Sequence, residues 1–176
     1  MSDKKPLTRE EVPVELTWDL TLIYPDNSGF EADLAFVSEK IPVLAASKET
    51  ALNSGTDLYN YLLLSYQVEE RIETAYVYSH LKADQDTTND ENQVLNQRAF
   101  SVYVEVSGAT SWFEPAILEK SDEEFENFFK EEPRLEEFRV ALEAARIRKG
   151  HVLSDREEAL LSKANEVFSG PGKTFN

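Results

Sequence analysis

Cysteine is absent from the 176-residue chain, so neither a disulfide framework nor a thiolate metal site can be built from it, which agrees with a reducing compartment. Histidine is nearly absent too: there are two, His80 and His151, far apart in the sequence. A helical zinc hydrolase places two histidines one turn apart in HExxH, and no such motif occurs. A zinc site made from both histidines and a carboxylate is set aside for the same reason. The Glu-x-x-His spacing of di-iron bundles is also missing. With six glycines in all, the chain holds no GxGxxG, GxxxxGK[ST] or GxSxG, which removes nucleotide folds and serine hydrolases.

Positive charge is scarce: 18 basic residues stand against 34 acidic ones, a formal charge of −16 that repels phosphate backbones and anionic lipid surfaces. Nucleic acid and membrane are therefore excluded as expected partners. No apolar run approaches the length of a bilayer span, and the opening MSDKKPLTREEVPVEL lacks the apolar centre of a signal peptide. The expectation is a soluble, cytoplasmic protein.

What the chain has is helix grammar. Hydrophobic residues at 41% and aromatics at 11% suffice for a packed core. A hydroxyl side chain followed three residues later by Glu, the capping-box pattern, recurs at Ser28/Glu31, Thr88/Glu91, Ser121/Glu124 and Ser154/Glu157, and Thr56 with Asp57 makes a further helix start. Leu58, Tyr61, Ser65, Val68, Ile72, Ala75 and Ser79 share one helical face, as do Leu95, Ala99, Val102, Val106, Ala109 and Phe113. FSVYVEV also suits a strand, but no turn separates it from the capped segment before it, and helix is the better reading. The two long helices are expected to form an antiparallel hairpin joined by KADQDTTND.

Shorter helices follow: one opened by Pro115, one capped by Ser121, one from Pro133 through Leu135, Phe138, Leu142 and Ala145 to Gly150, and a last from Ser154 to about Phe168. The fold class is all-α. The expected organisation is an arm over 1–27, a helical domain over 28–168 and a linker beginning at 169–176.

Candidate sites are few. The turn DQDTTNDEN resembles the start of a calcium loop, but Asn89 stands where that loop needs glycine and Leu95 where it needs its bidentate Glu. SDEEFENFFKEEP gathers acids at a helix start, where the dipole favours them, and reads as a solvated face. Arg146, Arg148, Lys149 and His151 read as a helix junction, with a cationic spot for a peptide carboxylate as the functional alternative. Leu62, Tyr66, Glu69, Glu73, Tyr76 and His80 form a mixed aromatic and acidic side of the second helix. That side suits either a groove for a polar ligand such as a peptide or a partly wetted helix surface.

EVPVELTWDLTLIYPD from Glu11, HLKADQDTTNDENQ from His80, SWFEPAIL from Ser111 and RKGHVLSDREEALLS from Arg148 resemble, in order, successive blocks of the amino-terminal region of oligoendopeptidase F, a bacterial zinc metallopeptidase of the thimet-oligopeptidase-like family. The closing GKTFN resembles a further segment. The resemblance implies the helical amino-terminal domain of a larger zincin-type oligopeptidase that hydrolyses short to medium peptides. In the parent, zinc is held by HExxH and a downstream Glu in a carboxy-terminal catalytic domain that this chain lacks. It also implies that these helices wall a substrate channel, and it makes Tyr66, Glu73, Tyr76 and His80 the candidates for contact with substrate. No catalytic and no metal-binding residue is assigned, and no cofactor is expected in this chain. The expected partners are an oligopeptide and the missing catalytic domain. The competing expectation is a freestanding acidic helical module that binds a peptide or a partner helix.

Overall fold

The computed structural model describes residues 11–147. The expected junction at Arg148, Lys149, Gly150 and His151, the helix from Ser154 and the linker at 169–176 lie outside the described residues. Among the described residues there is no strand. Six helices follow one another: α1 (Asn27–Ala46), α2 (Gly55–Gln85), α3 (Asp90–Thr110), α4 (Phe113–Glu119), α5 (Asp122–Glu131) and α6 (Arg139–Ile147). Short 3₁₀ turns at Val14–Leu16 and Leu20–Leu22 shape the arm before α1, and others occupy Ser47–Glu49 and Pro133–Phe138. The chain divides into two compact units, one ending at Glu136 and one beginning at Glu137.

In the first unit α2 is the axis. Its 31 residues contain no proline and only one glycine, at the first position, so the helix continues for roughly 46 Å at 1.5 Å per residue. All seven residues expected on its inner face are buried. α3 returns antiparallel to it: Asn92 donates to the Lys82 carbonyl at 3.1 Å beside the turn, and Trp112, just past α3, meets Tyr61 near the start of α2 at 5.0 Å. FSVYVEV lies wholly within α3, whose buried positions, Leu95, Ala99 and Val106, recur with the helical period.

α1 lies along the hairpin and buries Phe30, Leu34, Val37 and Leu44. Each such side chain stabilises by about 1.5–3 kcal/mol on leaving water. Polar clamps fix its placement. Arg98 grips Glu31 with both guanidinium nitrogens at 2.7 Å, Arg71 pairs with Asp33, and Lys82 and the Tyr78 hydroxyl both donate to Asn27 at 2.7 and 2.9 Å. Tyr24 donates to Asp33, and burial together with that carboxylate pushes its phenol well above the usual tyrosine range.

α5 closes over the beginning of α2. Phe125, Phe128 and Phe129 are buried, and the Gly55 amide donates to the Glu131 carboxylate at 2.8 Å. The next residue, Glu132, accepts from Arg134 Nε and Nη2 at 2.8 and 2.6 Å, and the guanidinium lies over the Tyr59 ring at 4.2 Å. This ion pair holds the Glu132 carboxyl down to about 2.

Of the helix starts read from sequence, Ser121/Glu124 forms the full reciprocal box. Among the described residues, the caps of α1 and α2 shift two residues upstream and that of α3 one residue downstream. α1 is capped by Asp26, whose carboxylate accepts from the Ser28 amide at 2.7 Å, and Glu31 is held by Arg98 instead. α2 is capped by Ser54, which accepts from the Asp57 amide at 3.1 Å. α3 is capped by Asn89, since Asp86 already binds the Thr88 amide and hydroxyl at 3.0 and 2.7 Å. Asp and Asn accept as well as Ser and Thr do, so the acceptor that first reaches a free N–H sets the boundary. The helix expected from Pro133 is two elements, a 3₁₀ turn to Phe138 and then α6. In the second unit α6 carries Leu142 as its buried residue.

Candidate aromatic and acidic site

Because α1 covers one side of the hairpin, the opposite flank of α2 and α3 is left to solvent. Tyr76 and His80, one turn apart on α2, stack with ring centroids 5.7 Å apart and planes at 18°. Phe100 and Tyr103 of α3 bring their rings to 6.1 and 5.8 Å from Tyr76. Phe100 is 51% exposed and Tyr103 41%, so the cluster presents ring faces to water instead of filling a core. His80 Nε2 lies 3.6 Å from the Asp84 carboxylate.

Carboxylates continue the strip toward the beginning of α2. Glu73 is one turn before Tyr76, and Glu69 one turn before Glu73. Much of the Glu69 side chain meets solvent, yet partial burial of its carboxyl is the main cause that raises its pKa. The Ser65 hydroxyl, donating at 3.3 Å, pulls the other way, and the charge of Glu73 adds to the rise. Tyr61, one turn before Ser65, is pushed up to about 12, mainly by burial. Beyond it, the Trp112 indole N–H is buried without an acceptor.

The structure thus brings together two of the four residues singled out from sequence, Tyr76 and His80, and sets Glu73 beside them. Tyr66 is 46% exposed on α2, ten residues before Tyr76 and so roughly 15 Å away along the axis, outside the ring cluster. Leu62, read as part of the same polar side, is 5% exposed and belongs to the core, because a leucine at the edge of the apolar stripe is drawn under the neighbouring helix. Phe100 and Tyr103 were missed. Their spacing of three put them on one face of α3, and that spacing was the available signal.

No group of three or more His, Asp or Glu side chains converges as metal ligands among the described residues. These described donors do not gather into the zinc centre that the resemblance implies for the parent, and no reaction step is assigned to them. No described helix is long and apolar enough to cross a membrane.

The described residues define a class of helical domain that carries a solvent-facing aromatic and acidic strip. Comparison with known proteins gives the lineage. The Oligopeptidase F family profile matches residues 117–176. Oligopeptidase PepF of Bacillus subtilis is 35% identical over 96% of this chain and 25% of its own length. The plasmid-encoded oligoendopeptidase F of Lactococcus lactis subsp. cremoris is 31% identical over 95% of this chain and 28% of its own. The crystal structure of oligoendopeptidase-F from Enterococcus faecium superposes with a TM-score of 0.68, at 37% identity, over 85% of this chain and 30% of that one. The chain belongs to the oligoendopeptidase F family, in its amino-terminal region, and spans about a quarter of the length of the curated relatives it matches.

Proposed function

We propose that this chain supplies one wall of the substrate channel of a zinc metalloendopeptidase that cleaves short to medium oligopeptides in the cytoplasm, and that it is inert alone. The observation that carries the reading is the strip of Tyr76, His80, Phe100 and Tyr103, open along one flank of a rigid hairpin beside Glu69 and Glu73. A wall has to exclude folded proteins and hold an extended chain by its side chains, and exposed rings on long helices serve both ends without chemistry of their own. Water activation and carbonyl polarisation belong to the zinc of the remaining three quarters of such an enzyme.

Two measurements on the purified chain test this. Titrating a ¹⁵N-labelled sample with an unstructured decapeptide should move the amides around Tyr76, His80, Phe100 and Tyr103 and leave those of α1 in place. A quenched fluorogenic peptide should remain intact. Chelator-sensitive cleavage by contaminant-free chain would overturn the claim of inertness. Shifts confined to other surfaces would overturn the assignment of the wall face. Tight capture of a preformed amphipathic helix, with none of an extended peptide, would favour a freestanding helix-binding module.

A further inference from the structure

The strip has a charge as well as a shape. α2 and α3 together hold three Lys and Arg residues, Arg71, Lys82 and Arg98, and all three are turned toward α1: Arg71 to Asp33, Lys82 to Asn27, Arg98 to Glu31. On the opposite flank stand Glu69, Glu73 and Asp84, with His80 beside Asp84. The same arrangement that fastens α1 therefore leaves the aromatic face without a fixed positive charge from α2 or α3. Glu69 and Glu73 repel one another, and no cation of either helix lies between them.

We infer that this face selects peptides by their lysine and arginine side chains, the cationic head lying over the Tyr76, Phe100 and Tyr103 rings with Glu69 and Glu73 as its counter-charges. The inference rests on the peptide-contacting reading above and names the substrate class for it. A guanidinium or ammonium group satisfies both halves of the surface at once: ring faces attract cations, and a cation relieves the repulsion between the carboxylates. An apolar side chain meets the rings only, and an acidic one adds to the repulsion. The net charge of −16 also draws cationic peptides toward the molecule before contact.

The test uses the intact chain and three decapeptides that differ at one central position: lysine, norleucine, which keeps the straight apolar stem without the charge, and glutamate. The lysine peptide should bind about tenfold more tightly than the norleucine peptide, a modest cation–π contribution augmented by two carboxylates, and the glutamate peptide more weakly than either. The double substitution Glu69→Gln and Glu73→Gln should erase most of the preference while leaving the norleucine peptide unchanged. Phe100→Ala should weaken the lysine and norleucine peptides together. Glu119→Gln with Glu123→Gln, distant acids on α4 and α5, should leave the preference intact. If that distant pair lowers it as much as the Glu69 and Glu73 pair does, the effect is only net charge and the inference falls. Equal binding of lysine and norleucine overturns the selectivity but leaves the peptide-contacting face standing, whereas failure of all three peptides to bind overturns both.

Discussion

Gly55→Ala isolates the joint between α5 and α2. A methyl group at Gly55 would overlap the Phe128 carbonyl oxygen and stand 3.1 Å from the Cβ atoms of both Glu131 and Glu132. The obstacle is backbone, which cannot swing aside as a side-chain end can, so α5 must shift. Overpacking of this kind costs about 1–3 kcal/mol. The shift also stretches the 2.8 Å bond from the Gly55 amide to Glu131, a net contribution of about 1 kcal/mol for a bond that is partly exposed. Against this, alanine exceeds glycine in helix propensity by about 1 kcal/mol in a helix interior and by less in the first turn. The net loss is about 1–3 kcal/mol, which for a chain of this size lowers Tm by about 2–4 °C per kcal/mol. Thermal unfolding followed by circular dichroism reads it directly. Gly108→Ala is the internal control: nothing lies within 4 Å of a Cβ there, it sits inside α3, and it should stabilise by up to about 1 kcal/mol. If Gly55→Ala unfolds at or above the wild-type temperature while Gly108→Ala behaves as expected, the packing argument is wrong.

Other expectations follow from the charges and the arm. Glu132 has a depressed folded pKa, so its contribution is present above the ordinary Glu range and lost as pH falls from there to about 2; Glu132→Gln should flatten the acid limb of a stability–pH profile in that window. Glu69 is raised, so its proton favours the fold and the benefit fades as pH climbs through the folded value; Glu69→Gln should stabilise at neutral pH and have little effect in acid, as urea midpoints at the two pH values would reveal. Arg98→Ala removes a pair in which both partners are about half exposed, and its cost should stay below about 1 kcal/mol by chemical denaturation despite the bidentate geometry. Val14, Leu16 and Leu22 of the arm are 75–85% exposed, and replacing all three with serine should reduce binding of an apolar dye and any self-association seen by sedimentation.

Most of the helical grammar could be read from one strand of sequence, because a helix writes its buried face into its own period. Every α2 residue assigned to the core is in it, and the β-branched run in α3 is helical because its neighbours are. The caps were displaced by one or two residues where several acceptors competed, as at Asp26 and Asn89. The site was half legible. Tyr76 and His80 announce themselves on α2, but their partners come from α3, and which residue of one helix faces which of the other is decided by packing register, a quantity absent from either helix alone. Leu62 was misplaced for the same reason: the edge of a stripe is assigned by its neighbour.

The bond from Gly55 to Glu131 joins residues 76 positions apart, whereas the α2–α3 hairpin is closed by Asn92 and Lys82, only 10 apart. Closing the shorter loop costs less chain entropy. During synthesis the hairpin, with its aromatic flank already exposed, can therefore assemble well before α5 has been made. The joint at Gly55 then acts as a late seal, and weakening it should quicken unfolding far more than it slows refolding.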